Sequence, residues 1–270
     1  MTGTQLPTDS ASPERWSDDF VAIQRGPIHV RRHVGMRALD LVFLHEGLGS
    51  IGLWRNFPDD VVRATDDPSA LVFSRHGYGR SSVVSEPRTP DYMHYEALTI
   101  LPELLERFGI KRPVLVGHSD GASIALIHSA GGFEVAGLVL IAPHVFVEPC
   151  TLSAIEAARH AFQTTDLPIR LGRHHDDPLA TFHGWSDTWL RDEFVEWNIT
   201  GGLSRVTAPV LVVQGARDEY GTARQLDAIS AGVSGPCETV LVADAHHAPH
   251  LEAPSVTLDL VARFVESLES

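Results

Sequence analysis

The sequence predicts an α/β fold: a mostly parallel, doubly wound sheet with a helical cap inserted after the sixth strand. Three features of the chain carry that expectation. Short apolar, β-branched runs alternate with longer stretches of helical spacing, as in a sheet buried on both faces. The runs end in glycine-rich or polar loops, and in such sheets the chemistry lies at the carboxyl ends of the strands. The alternation stops over residues 144–205. There Phe146, Phe162, Phe182, Trp185, Trp189, Phe194 and Trp197 stand among charges and histidines, with no buried-strand run.

Residues 1–19 are rich in Thr, Ser, Pro and Asp and read as a mobile leader. Strands are expected near Phe20–Gln24 and Ile28–Val34, split by Gly26-Pro27. A buried strand over Leu39–Leu44 runs into His45-Glu46-Gly47-Leu48-Gly49-Ser50. A helix is expected around Trp54–Thr65, then a strand over Ala70–Phe73 and the glycine-punctuated loop Arg75–Ser81. Tyr92–Phe108 has helical spacing despite Pro102. The run at Val114–Val116, the helix behind it and the strand Val135–Ile141 come next. After the interruption follow a strand over Val210–Gln214, a helix around Thr222–Ala231, a strand over Thr239–Ala243 and a last helix over Ser255–Leu268. The expected division is a sheet-bearing core of 20–143 and 206–270, with 144–205 as the cap.

A chain of 270 residues suits one large α/β domain or two small ones. Its 43% hydrophobic content and mean hydropathy of −0.01 fit a globular protein with a sizeable core. A net charge of −14 argues against nucleic acid and anionic membrane surfaces as partners. The two cysteines, Cys150 and Cys237, show no metal or redox spacing, so a reducing compartment is the default. No signal pattern opens the chain and no apolar run reaches transmembrane length, which predicts a cytoplasmic protein. No cofactor and no metal are expected. His174-His175-Asp176-Asp177 lacks a second ligand pair at recognisable spacing and reads as solvated cap surface. Oligomeric state is left open.

The densest chemical signal is Gly117-His118-Ser119-Asp120-Gly121, set between a buried-strand run and a small-residue helix. This is the pattern of a nucleophile elbow, with Ser119 at the tip of a strained turn. Glycines at 117 and 121 remove side chains that would clash there. The helix N-terminus favours negative charge developing at the site. A serine nucleophile needs a base, and the base an orienting acid. The loop Asp244-Ala245-His246-His247-Ala248-Pro249-His250-Leu251-Glu252-Ala253-Pro254 offers three competing histidines. The acid should end a strand between the elbow and that loop.

With these motifs the chain from about residue 20 resembles the α/β-hydrolase superfamily, in its capped serine-hydrolase branch. The resemblance implies a loop of the form Gly-His-x-x-His-x-Glu-x-Pro whose first histidine is catalytic, which matches His247. His246 stands at the usual glycine. It implies an acid in Gly-x-x-Asp after the strand Val210–Gln214, which matches Asp218, with Glu219 next. It also implies an oxyanion hole from the backbone N–H of Asp120 and that of Leu48 or Gly47. The implied activity is hydrolysis of a small-molecule acyl compound: a carboxylic ester, lactone or relative. Carbon–carbon hydrolases of aromatic degradation and ligand receptors with vestigial turnover share the fold. The former usually carry an aromatic residue after the catalytic histidine, where this chain has Ala248.

His45, Glu46, Trp185 and Trp189 are candidate substrate contacts. Glu46 departs most from the family pattern, which commonly reads His-Gly where this chain reads His-Glu-Gly. A carboxylate about 5 Å from an oxyanion would oppose it by roughly 3 kcal/mol at an effective dielectric near 20. Glu46 is therefore expected to turn away, to be held protonated, or to pair with a cation. Arg75 and Arg80 are the foremost partners, with His45 and His76 behind them.

Overall fold

A computed structural model describes residues 16–83 and 87–268. Its strands are β1 (Trp16–Ile23), β2 (Gly26–His33), β3 (Arg37–Leu44), β4 (Pro68–Phe73), β5 (Val114–His118), β6 (Gly137–Ile141), β7 (Val210–Gly215) and β8 (Cys237–Val242). They form one sheet in the order β1-β2-β4-β3-β5-β6-β7-β8. The pairs β1–β2 and β2–β4 are antiparallel, and every pairing from β4 to β8 is parallel. The cap was expected after the sixth strand, and the helical stretch does follow β6.

The helices, in order, are α1 (Phe57–Ala64), α2 (Tyr92–Tyr95), α3 (Leu101–Phe108), α4 (Asp120–Ala130), α5 (Pro149–Thr164), α6 (Leu167–Leu171), α7 (Pro178–Trp189), α8 (Asp192–Val195), α9 (Arg224–Gly232), α10 (Pro249–Glu252) and α11 (Pro254–Ser267). Alternate strand residues feed two cores. Leu41, Phe43, Val114, Val116, Val139 and Val213 pack with α1 and α11. Val42, Leu44, Leu115, Leu138, Leu140 and Val212 pack with α2, α3, α4 and α9. No helix among the described residues is long and apolar enough to cross a membrane.

Two elements differ from expectation. The leader was expected to reach residue 19, yet Trp16–Asp19 pair with Val30–His33 in β1. Edge-strand hydrogen bonds hold these residues, three of them exposed, so no hydrophobic pattern marks them; residues 1–15 lie outside the described region. The helix through Pro102 is not one regular helix. A π-helical turn over Glu96–Ile100 separates α2 from α3, whose first turn holds the proline. Pro102 has no N–H to give to the helical ladder, and the π turn immediately before it takes up that irregularity.

Register sets the position of the site. Leu44 aligns with Gly117, His118 with Ile141, Ile141 with Val213, and Gly215 with Val242. The central strands thus end in one row, and the loops after them meet above it.

Candidate active site

Ser119 joins β5 to α4 at φ 53° and ψ −116°, a conformation that non-glycine residues rarely adopt. Its N–H donates to the Ile141 carbonyl at 2.8 Å, tying the turn to β6. The neighbouring glycines are sterically required. A Cβ on Gly121 would meet the Leu44 carbonyl oxygen at 1.9 Å, and one on Gly117 would meet the Gly121 oxygen at 2.4 Å.

Ser119, His247 and Asp218 come together in one hydrogen-bonded chain. His247 Nε2 lies 3.0 Å from Ser119 Oγ, and His247 Nδ1 lies 2.9 Å from Asp218 Oδ1. Asp218 also accepts from the Tyr220 N–H at 2.9 Å and from Gln214 Nε2 at 3.0 Å. Burial by itself would lower the His247 pKa, but the Asp218 carboxylate outweighs it and holds the imidazole above its usual 6.5. For Asp218, burial pushes upward and is overcome by the His247 hydrogen bond and charge, so its carboxyl sits below its ordinary range. The other two histidines of the loop go elsewhere. His246 is exposed beside Glu219, and His250 is buried against Trp54, Phe57 and His118.

Glu46 pairs with neither arginine. Its Oε2 lies 3.5 Å from His118 Nδ1, within ion-pair range. Burial would raise the carboxyl, but His118 overrides this and holds it well below the usual range, so Glu46 is ionised. Arg75 instead donates from Nη2 to the Glu46 backbone carbonyl at 2.9 Å and lies 3.5 Å from Asp120 Oδ2. Arg80 stacks over Phe20. The guanidinium of Arg75 is drawn inward because Asp120 is fully buried and needs a counter-charge. Tyr92 Oη also donates to Asp120, at 2.6 Å, and Trp189 Nε1 donates to Tyr92 Oη at 3.0 Å.

His45 does not meet the cavity. It is fully buried; its Nδ1 donates to the Glu46 carbonyl at 2.8 Å and its Nε2 accepts the Arg75 N–H at 3.0 Å. It fixes the loop rather than a ligand. His175 is also not the solvated surface residue expected from sequence. It is buried, accepts the Gly79 N–H at Nδ1 (2.9 Å) and donates from Nε2 to the Leu48 carbonyl (2.9 Å). His118 escaped the sequence reading. Its Nε2 donates to the His247 carbonyl at 2.8 Å, so it joins the elbow to the histidine loop. Only its place inside the Gly-x-Ser-x-Gly motif could have flagged it.

A cavity of about 100 Å³ opens on Ser119. It is lined by Glu46, Gly47, Leu48, Ser119, Asp120, His144, Thr151, Ile155, Trp185, Trp189, Tyr220 and His247. Trp185 packs its indole so closely on Gly47 that a Cβ there would lie 2.3 Å from Nε1. The Gly49 N–H is engaged by the Glu46 carbonyl at 3.1 Å. The N–H groups of Gly47, Leu48 and Asp120 have no backbone acceptor among the described residues. No group of three or more metal-ligating side chains occurs among those residues.

A serine at a strained strand-to-helix turn, facing a histidine and a carboxylate from later loops of a parallel sheet, defines the α/β-hydrolase class. The sequence matches the alpha/beta hydrolase family over residues 41–260, and the chain belongs to that family. The human (lyso)-N-acylphosphatidylethanolamine lipase is 33% identical over 120 residues, and the bovine protein 32%. Each match takes in 43% of this chain and 34% of the relative, so only about a third of those proteins is spanned. Among solved structures, a thermophilic esterase from Thermogutta terrifontis superposes with TM-score 0.69 at 18% identity, covering 94% of this chain and 100% of that one. The proline iminopeptidase of Mycobacterium smegmatis gives TM-score 0.73 at 16% identity, covering 94% and 99%. Likeness at that identity shows the shared fold.

Proposed function

We propose that this protein is a serine hydrolase that cleaves a small carboxylic ester, lactone or related acyl compound through an acyl-enzyme. The observation that carries the reading is the continuous hydrogen-bond chain from Ser119 through His247 to Asp218, opening on a cavity of about 100 Å³. Ser119 Oγ attacks the acyl carbon while His247 Nε2 takes its proton. Asp218 keeps the second proton on Nδ1 and stabilises the imidazolium. The backbone N–H of Asp120, with that of Leu48 or Gly47, receives the oxyanion. His247 then protonates the leaving alkoxide, and water repeats the sequence to release the acid.

Residues 144–205 act as a cap in this reading, with Trp185 and Trp189 closing the cavity. Pockets for drug-sized ligands typically measure about 300–1,000 Å³. The smaller volume here favours short acyl groups over long lipid chains. The test is a panel of p-nitrophenyl esters of rising chain length, with a lactone and a thioester. Steady turnover that peaks at short chains is expected. Absence of turnover on every member of the panel would defeat the reading.

A further inference from the structure

We propose that His144 is a substrate-recognition residue, and that the acyl group it selects is short, uncharged and hydroxylated. Its place in an acyl pocket rests on the hydrolase reading above; its hydrogen-bonding role rests on the cavity alone. His144 follows β6 by three residues, and its backbone is clamped. Its carbonyl accepts from Ser123 Oγ at 2.6 Å, and the next N–H, of Val145, donates to Gln225 Oε1 at 2.8 Å. The ring is 2% exposed, lines the cavity beside Ser119, and stands edge-on to Trp189 at 5.3 Å between centroids. It lies 5.7 Å from the His247 ring, within reach of an acyl chain on Ser119.

Neither ring nitrogen of His144 has a hydrogen-bond partner among the described residues; Nδ1 is closed off within the fold, so Nε2 is the ring nitrogen that a ligand in the cavity reaches. Two hydroxyls of the wall are engaged, Ser119 with His247 and Thr151 with the Tyr220 carbonyl. Burial pushes the His144 pKa down to about 3, so the ring is neutral at working pH, with one donor and one acceptor. A buried polar group without a partner is costly, and a ligand that supplies the partner recovers that cost on binding. A hydroxyl both donates and accepts, so it fits whichever tautomer and ring orientation is present. A carbonyl fits only an N–H, and a methyl group neither. Charge narrows the class further, because the ionised Glu46 on the same wall opposes an acyl chain ending in a carboxylate.

The test compares p-nitrophenyl butyrate with the 2- and 3-hydroxybutyrate esters. The better hydroxylated ester is expected to have about tenfold higher kcat/KM, the ratio that one hydrogen bond of ordinary strength supplies. His144→Phe and His144→Leu should bring the ratio to about one, and His144→Gln should restore part of it. Binding is measured separately on Ser119→Ala, using methyl butyrate and the methyl hydroxybutyrates, with the His144 ring nitrogens followed by NMR. If the protein cleaves no ester, the hydrolase reading fails, while the binding arm still decides the role of His144. Equal affinity for plain and hydroxylated esters overturns the proposal. So does a preference that survives in both His144→Phe and His144→Leu.

Discussion

His118 touches three loops at once: its own elbow, the His247 carbonyl and the Glu46 carboxylate. The partner beside Glu46 is thus a histidine that precedes the nucleophile. Sequence reasoning placed the Arg75 loop near Glu46 correctly and chose the wrong partner. Which arginine reaches which carboxylate depends on the burial of Asp120, and no local pattern encodes that. Glu46→Gln removes the carboxylate that faces His118. A loss of about 1 kcal/mol, or roughly 2–4 °C in Tm, is expected together with lower kcat. A rise in the acylation rate would show instead that the charge opposes the oxyanion. In the proposed mechanism the pH profile follows from His247, which must be neutral to accept the serine proton. Asp218 raises its pKa, so the acid limb of kcat/KM should lie above about 6.5. Asp218→Asn should move that limb downward and cut kcat by up to about 10⁴-fold. A wild-type limb below pH ~6 would contradict the pairing. The choice among His246, His247 and His250 is open from composition and spacing alone; of the three, His247 lies within hydrogen-bond distance of Ser119.

At the scale of elements, central strands were legible because burial on both faces leaves continuous apolar runs, as in Val114–Val116 and Val210–Val213. Their ends were legible to within a few residues. The start of β1 was not, since Trp16–Asp19 are held by backbone pairing and carry mostly polar side chains. Links between the helices after β6 and the loops of the sheet were also invisible. His175, between α6 and α7, holds the Leu48 carbonyl from 127 positions away in sequence. That bond steadies the loop assigned to the oxyanion. His175→Leu should therefore lower kcat by about tenfold, the equivalent of one hydrogen bond, with unchanged far-UV circular dichroism. Unaltered kcat would show that the loop holds its shape without this contact.

Several of the histidines lie deep in the molecule. His29, His45, His128, His144, His175 and His250 are buried, and burial lowers the pKa of each. Unfolding frees them to take up protons near pH 6.5. Below that value the unfolded chain binds more protons than the native one, so stability falls as pH falls. His247 has the opposite sign: its raised pKa adds stability below about 6.5 that is lost as pH rises through the native value. Each lowered histidine contributes about 1.4 kcal/mol per pH unit inside its window. Urea unfolding should show a loss of at least about 3 kcal/mol between pH 6 and 5. A flat stability curve over that range would mean that these rings titrate freely in the native state.

The central claim is that Ser119 is the nucleophile of a working hydrolase, and covalent labelling tests it most directly. The protein is treated with a fluorophosphonate that mimics the tetrahedral intermediate, and the adduct is located by mass spectrometry while esterase activity is followed. The expected result is a single adduct on Ser119, activity lost in proportion to labelling, and no adduct in Ser119→Ala. Full labelling at another residue, or activity that persists after Ser119 is fully modified, would contradict the claim.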